Sequence, residues 1–338
     1  MGNVRGDLGK ENPLLSQEGW REAPGWFRSD HLSRWRFGNH PSRDPLRYPA
    51  ALLTQEGNFR QQDRILVMDG AMGTLIASAQ KDSLNLTSPE LIQSIHRQYL
   101  DAGADILKTN TFNSNRGPED YAINLAGARL ARAIADEYAA ANRLQPRYVA
   151  GAMGPGQDGA ASIDGFFLQA SGLVEGGVDM LLAETITSTR TAQSVMAAIE
   201  KLFMKIGREL PVLLSVTIGR RGGLISGESM EAFWDTVCSC GLFAVGINCG
   251  FGAKHSRPFL EQLSKMANTR ISFHPSAGLP NATGGYDETP EEFAAIMGEL
   301  AKRGQVNIIG GCCGSTPAHT RAIAAAVRGI PRVTIDPL

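Results

Sequence analysis

Three of the five cysteines stand in settings that suggest shared chemistry. Cys249 lies in Asn248-Cys249-Gly250, and Cys312 and Cys313 are adjacent within Gly310-Gly311-Cys312-Cys313-Gly314. Thiolate sulfur suits Zn²⁺, a borderline-soft ion. The Cys312-Cys313 pair lacks the C-x-x-C spacing of structural zinc modules, and no second pair completes a four-cysteine set. Three protein ligands leave one position open, the pattern of catalytic zinc. A thiol in that position loses its proton at neutral pH and becomes a nucleophile, so the natural reaction is alkyl transfer to sulfur. For any one of these cysteines alone, the plainer role is a small buried residue in a tight turn. Cys238 and Cys240, two apart at the predicted end of a helix, diverge and read as structural.

Two carboxylates complement the thiols. Asp69 begins Asp69-Gly70-Ala71-Met72-Gly73-Thr74, and Glu184 begins Glu184-Thr185-Ile186. Both can hold a substrate ammonium group, while backbone N–H groups of the turn, those of Gly70, Ala71 and Met72 among them, can take a carboxylate. A thiol amino acid would then be gripped at both ends. The alternatives are a turn or capping role for Asp69 and an internal ion pair for Glu184.

These residues close short apolar runs that read as strands. The runs are Ile65–Asp69, Asp105–Thr109, Tyr148–Gly151, Met180–Glu184, Val212–Thr217, Phe243–Asn248, Ile271–His274 and Val306–Gly310. They lack strict alternation, as expected of strands buried on both faces. Between them fall helical patterns at Pro89–Ala102, Tyr121–Ala141, Asp164–Gly176, Ser188–Ile206, Ser229–Cys238, His255–Ala267, Pro290–Lys302 and Pro317–Arg328. Ser88-Pro89, Thr289-Pro290 and Thr316-Pro317 place an N-cap before a proline at the first helical position. Eight such units predict an α/β fold, a (β/α)8 TIM barrel, in which active sites form at the C-terminal ends of the strands. A doubly wound open sheet is the alternative, but no G-x-G-x-x-G follows the first strand.

The domain reading is an irregular N-terminal extension over 1–62, a barrel over 63–330 and a tail over 331–338. The extension lacks periodicity yet holds Trp20, Trp26 and Trp35. With 33 basic and 34 acidic residues the net charge is −1, so there is no basic field for nucleic acid or an anionic membrane. No apolar run reaches the ~18 residues of a membrane span, and no signal-type apolar stretch opens the chain. The expected setting is cytoplasmic, with reduced thiols.

The segments 68–74 (MDGAMGT), 109–114 (TNTFNS), 277–281 (AGLPN) and 310–317 (GGCCGSTP) resemble the zinc-dependent homocysteine S-methyltransferase family, over about Ile65 to Val327. Within it the chain is most similar to the N-terminal homocysteine-binding module of cobalamin-dependent methionine synthase. Betaine–homocysteine methyltransferase and the S-methylmethionine-using enzymes look more distant. The resemblance implies a (β/α)8 barrel, one zinc ion per chain on Cys249, Cys312 and Cys313, homocysteine as methyl acceptor and methionine as product. It also implies contacts of Asp69 and Glu184 with the substrate amino group.

The sequence ends at Leu338 without the folate and cobalamin modules of that synthase. Cobalamin is therefore expected only indirectly, as a methyl-corrinoid on a separate partner protein; a small onium donor is the other option. The segments after Asn113 and Pro155 are shorter than in the family, Ser276 stands where an Asn is usual, and Lys108 stands where an acidic residue is common. Two other readings stay open: methyl transfer to a different thiol, and a non-catalytic module that carries an aminothiol or zinc.

Overall fold

The computed structural model describes residues 64–332, apart from 77–80, 143–144, 157–161, 221 and 282–283. The extension read over 1–62 and all but two residues of the tail lie outside the described residues. The strands are β1 (Leu66–Val67), β2 (Ile106–Lys108), β3 (Tyr148–Met153), β4 (Met180–Ile186), β5 (Val212–Val216), β6 (Ala244–Gly252), β7 (Arg270–Ser276) and β8 (Ile308–Ile309). Each is followed by a long helix, in order α1 (Pro89–Asp101), α2 (Asp120–Ala141), α3 (Ile163–Glu175), α4 (Thr189–Ile206), α5 (Met230–Val237), α6 (Ala253–Met266), α7 (Pro290–Lys302) and α8 (Pro317–Ala326). A one-turn helix, Leu84–Thr87, precedes α1 and has no counterpart in the sequence reading. No helix among the described residues is long and apolar enough to cross a membrane.

All strands are parallel, in the order β1-β8-β7-β6-β5-β4-β3-β2, and a parallel bridge between Met68 and Ile106 joins the two ends. Sequential order with closure is the TIM barrel and excludes the doubly wound sheet. Two apolar layers follow from the period-2 alternation of strand side chains. Val149, Leu181, Leu214, Val245 and Phe273 pack outward with helix residues such as Ile92, Phe166, Val195 and Phe293. Leu66, Met68, Ile106, Tyr148, Met180, Leu182, Leu213 and Ile308 form a separate cluster, the barrel interior.

One device recurs at the N-terminal end of the barrel. Asp105, Asp179 and Asn307 each stand just before a strand and accept the N–H of Val67, Val149 and Ile271 in the neighbouring strand, at 2.9, 2.7 and 2.9 Å. Arg64 and Arg147 pair with Asp105, and Arg132 with Asp179, so the buried carboxylates keep partners. These contacts fix strand register at the face opposite the cysteines.

At the other face the predicted boundaries shift. β4 continues through Ile186 and β6 through Gly252, each with a register shift, between Ala183 and Ile186 and between Cys249 and Gly252. Glu184 and Cys249 therefore sit on bulged strand segments rather than on loops. Each shift coincides with a left-handed residue: Thr185 and Cys249 hold φ of 61° and 58°, which a regular strand does not accommodate. Cys238 and Cys240 lie past the last residue of α5, the first exposed and the second partly covered, so neither is a helix residue.

Candidate active site

The β6 bulge and the β8 loop bring the three cysteines together. Their sulfurs all lie within 4.8 Å of one another, and Cys249 Sγ is 3.8 Å from Cys313 Sγ. Sulfurs bound tetrahedrally to one zinc at ~2.3 Å would stand about 3.8 Å apart, so the set fits that ion. Backbone bonds hold the loop in place. Cys312 N–H donates to Pro275 O at 2.8 Å, Ala277 N–H to Cys313 O at 2.9 Å, and Gly314 N–H to Thr74 Oγ1 at 3.2 Å. Gly314 is required by its conformation: φ is +79°, and a Cβ would come within 2.1 Å of Tyr286.

Three thiols this close cannot all ionise by themselves. Cys313 accepts hydrogen bonds from Cys249 and Cys312 and another from Tyr286, which hold its thiol far below the usual range. The bonds to Cys249 and Cys313, with burial, push Cys312 up. For Cys249 the contact with Cys312 lowers the value, but the contact with Cys313 and burial outweigh it and carry it to about 11. A divalent cation held by Cys249, Cys312 and Cys313 would resolve this conflict by stabilising all three thiolates. All three cysteines stay partly exposed, so the cluster opens to the barrel mouth.

Below the sulfurs the barrel interior turns polar. Alternation that directs Ile106 and Met180 inward also directs Lys108 and Glu184 inward. Asp69, Lys108, Glu184 and His274 are all buried. Asp69 Oδ2 accepts the Lys108 backbone N–H at 2.9 Å, and Lys108 Nζ lies 3.5 Å from Asp69 Oδ1 while donating to Gly311 O at 3.0 Å. Asp69 Oδ1 has no hydrogen bond. Burial raises the Asp69 carboxyl to about 7 against the opposing pull of Lys108. Burial also raises Glu184, again opposed by Lys108. For Lys108 burial works downward, but Asp69 and Glu184 outweigh it and the ammonium is favoured. His274 Nδ1 stands 3.9 Å from Glu184 Oε2, and burial keeps the imidazole neutral, helped by Lys108.

The sequence alone assigns Asn248 no role. Its Oδ1 accepts Thr185 N–H and its Nδ2 donates to Thr185 Oγ1, both at 2.8 Å. One buried amide thus clasps the residue after Glu184 while preceding Cys249 in the chain. A β-branched residue in the left-handed region is strained, and this clasp holds it there. Tyr286 and Ser276 complete the surroundings: Ser276 Oγ is 3.9 Å from Cys249 Sγ. An inward polar side chain beside a cysteine was the available signal, but its partner 63 residues away was not legible.

The Asp69–Thr74 turn is clamped from two sides. Ala71 N–H donates to Ser315 Oγ at 3.1 Å, and Tyr99 OH donates to Ala71 O at 2.6 Å. At Gly70 a Cβ would stand 2.7 Å from Ser315 Oγ and 2.8 Å from Tyr99 OH, so glycine is needed for this close approach. Ala71's amide is therefore already engaged within the protein, and Met72 is partly buried against the core.

Comparison with known proteins points the same way. The model of the family described as homocysteine S-methyltransferase matches residues 66–327. Among solved structures, the oxidised form of the Escherichia coli homocysteine methyltransferase MmuM is similar at 23% identity and a TM-score of 0.64, over 79% of this chain and 97% of that one. The metallated form of the same enzyme gives 23% identity and a TM-score of 0.62, over 80% of this chain and 98% of that one. At this identity the structural likeness speaks for the fold, and the family match speaks for the family.

Proposed function

Since the chain belongs to the homocysteine S-methyltransferase family, we propose that it is a zinc-dependent enzyme that methylates the thiol of homocysteine to give methionine. The observation that carries this reading is the cluster of Cys249, Cys312 and Cys313, spaced for one tetrahedral ion and open to the mouth. Zinc, when bound, supplies a fourth coordination position at which a thiol is acidified. The protein's side chains do the rest. Glu184 draws the ammonium group, and Asp69 stands beside it as the second carboxylate, its Oδ1 3.5 Å from Lys108 Nζ. The amides of Gly70 and Met72 take the carboxylate, while Ala71, bonded to Ser315, holds the turn in shape. The sulfur then attacks the donor methyl in line, and the donor's leaving atom keeps the electron pair. Fixing both reactants in one mouth supplies several kcal/mol of the barrier reduction.

The donor we favour is a methyl-corrinoid on a separate protein. Among the described residues, the cleft beside Cys249 is lined by Ile218, Leu224, Ile225, Phe251 and Leu279, with Arg220 their charged neighbour and no acidic side chain to attract a small onium ion. The setting we propose is the cytoplasm, which keeps the thiols reduced. The test is metal analysis of freshly reduced protein together with methionine formation from homocysteine, using methylcobalamin, a corrinoid protein or a sulfonium as donor. The expected result is about one zinc per chain, lost in Cys312→Ser, and turnover with the corrinoid donors. Protein free of zinc that forms no methionine with any donor overturns the reading.

A further inference from the structure

Lys108 is a buried cation among the groups assigned to the substrate ammonium. It is 7% exposed, lies 3.5 Å from Asp69 Oδ1, and is anchored by Gly311 O at 3.0 Å, so it cannot swing away without losing both contacts. A substrate ammonium bonded to the same Asp69 oxygen would sit at most about 6.5 Å from Lys108 Nζ, taking 3.5 Å plus an ordinary ~3.0 Å hydrogen bond. Like charges that close in a water-poor cavity repel. Glu184 differs: its ion-pair neighbour within 4.0 Å among the described residues is His274, and Lys108 acts on it only from beyond that distance, so it is the carboxylate more open to a ligand.

We propose that Lys108 is a specificity-determining residue: it neutralises Asp69 internally, leaves Glu184 as the single ammonium anchor, and widens the acceptor range to thiol carboxylates that lack an amino group. The inference rests on the reading that a thiol acceptor binds at this site, and it adds which acceptors the site accepts. A cavity with two free carboxylates would reject an acceptor without ammonium, because both charges would stay buried and unpaired. With Asp69 paired to Lys108, only one is left unpaired. Asp69 then acts mainly as a structural partner, holding the Lys108 amide and side chain.

The experiment is calorimetric titration of the zinc-loaded full chain with homocysteine and with 4-mercaptobutanoate, which differs from it only by the missing amino group. No methyl donor is needed. In the parent chain homocysteine is expected to bind no more than about tenfold tighter, the worth of one modest charged contact. Lys108→Gln frees Asp69, and the preference for homocysteine rises by a further tenfold or more. Lys108→Gln combined with Asp69→Asn removes both charges and restores the parent ratio. Glu184→Gln brings the two thiols within about twofold. The double variant and Glu184→Gln keep the test decisive if Lys108→Gln alone fails to fold. An unchanged ratio in Lys108→Gln, a persistent preference in Glu184→Gln, or a double variant that does not return to the parent ratio overturns the proposal. Binding of neither thiol to the parent chain overturns the functional reading itself, and the proposal falls with it.

Discussion

Asn248→Ala tests whether the site geometry is held by one buried amide. The side chain is fully buried and makes two 2.8 Å hydrogen bonds to Thr185, whose φ is 61°. Removing it forfeits two bonds worth about 1 kcal/mol each and leaves the Thr185 amide without its partner, a further ~1–3 kcal/mol. Against this, Thr185 can relax from a left-handed conformation that costs ~1–2 kcal/mol. The net expectation is a loss of about 2–3 kcal/mol in urea unfolding of the metal-free chain. The relaxation would also shift Glu184 and Cys249, which flank the clasp on either strand. Zinc affinity, measured by competition with a chromophoric chelator, should fall by about tenfold or more. In the double variant Asn248→Ala/Thr185→Gly zinc affinity should recover in part, because glycine keeps this φ without strain and the bulge need not relax. A loss below about 1 kcal/mol with unchanged zinc affinity would refute the clasp as the positioning element.

Two other perturbations bear on folding and on the cysteine loop. His96 is fully buried on α1, neither ring nitrogen has a hydrogen bond, and burial lowers its pKa to about 4. The unfolded chain therefore binds the extra proton first, and stability is lost as pH falls from about 6.5 towards 4, by up to ~3 kcal/mol from this residue. His96→Leu should flatten that acid limb in pH-dependent unfolding; a limb identical to the parent's excludes the assignment. Gly314→Ala forces a Cβ to within 2.1 Å of Tyr286 at φ +79°. It should cost more than ~2 kcal/mol and weaken zinc binding through the adjacent Cys313, and an unshifted thermal midpoint would contradict the packing described.

Much of the molecule was legible from local chemistry. Apolar runs at Met180–Glu184 and Phe243–Asn248, separated by helical patterns, specify strands buried on both faces, and eight such units leave few architectures. Thr289-Pro290 begins α7 where the sequence places it, with a reciprocal Thr289–Glu292 capping box, since capping is decided within four residues. The grouping of Cys249, Cys312 and Cys313 followed from residue type and position at strand ends, and the fold places their sulfurs within 4.8 Å.

Other features depend on distances that no local pattern encodes. The bulges at Thr185 and Cys249 need a partner strand to define them, and the clasp by Asn248 spans 63 residues. Lys108 is an unusual residue in the sequence, but only the closed barrel buries it beside Asp69 and against Gly311 O, 203 residues away. The reason is physical. Hydrophobic period and capping are short-range and are written in neighbouring residues, whereas the charge balance of a barrel mouth is set by side chains from different strands once closure removes the water between them.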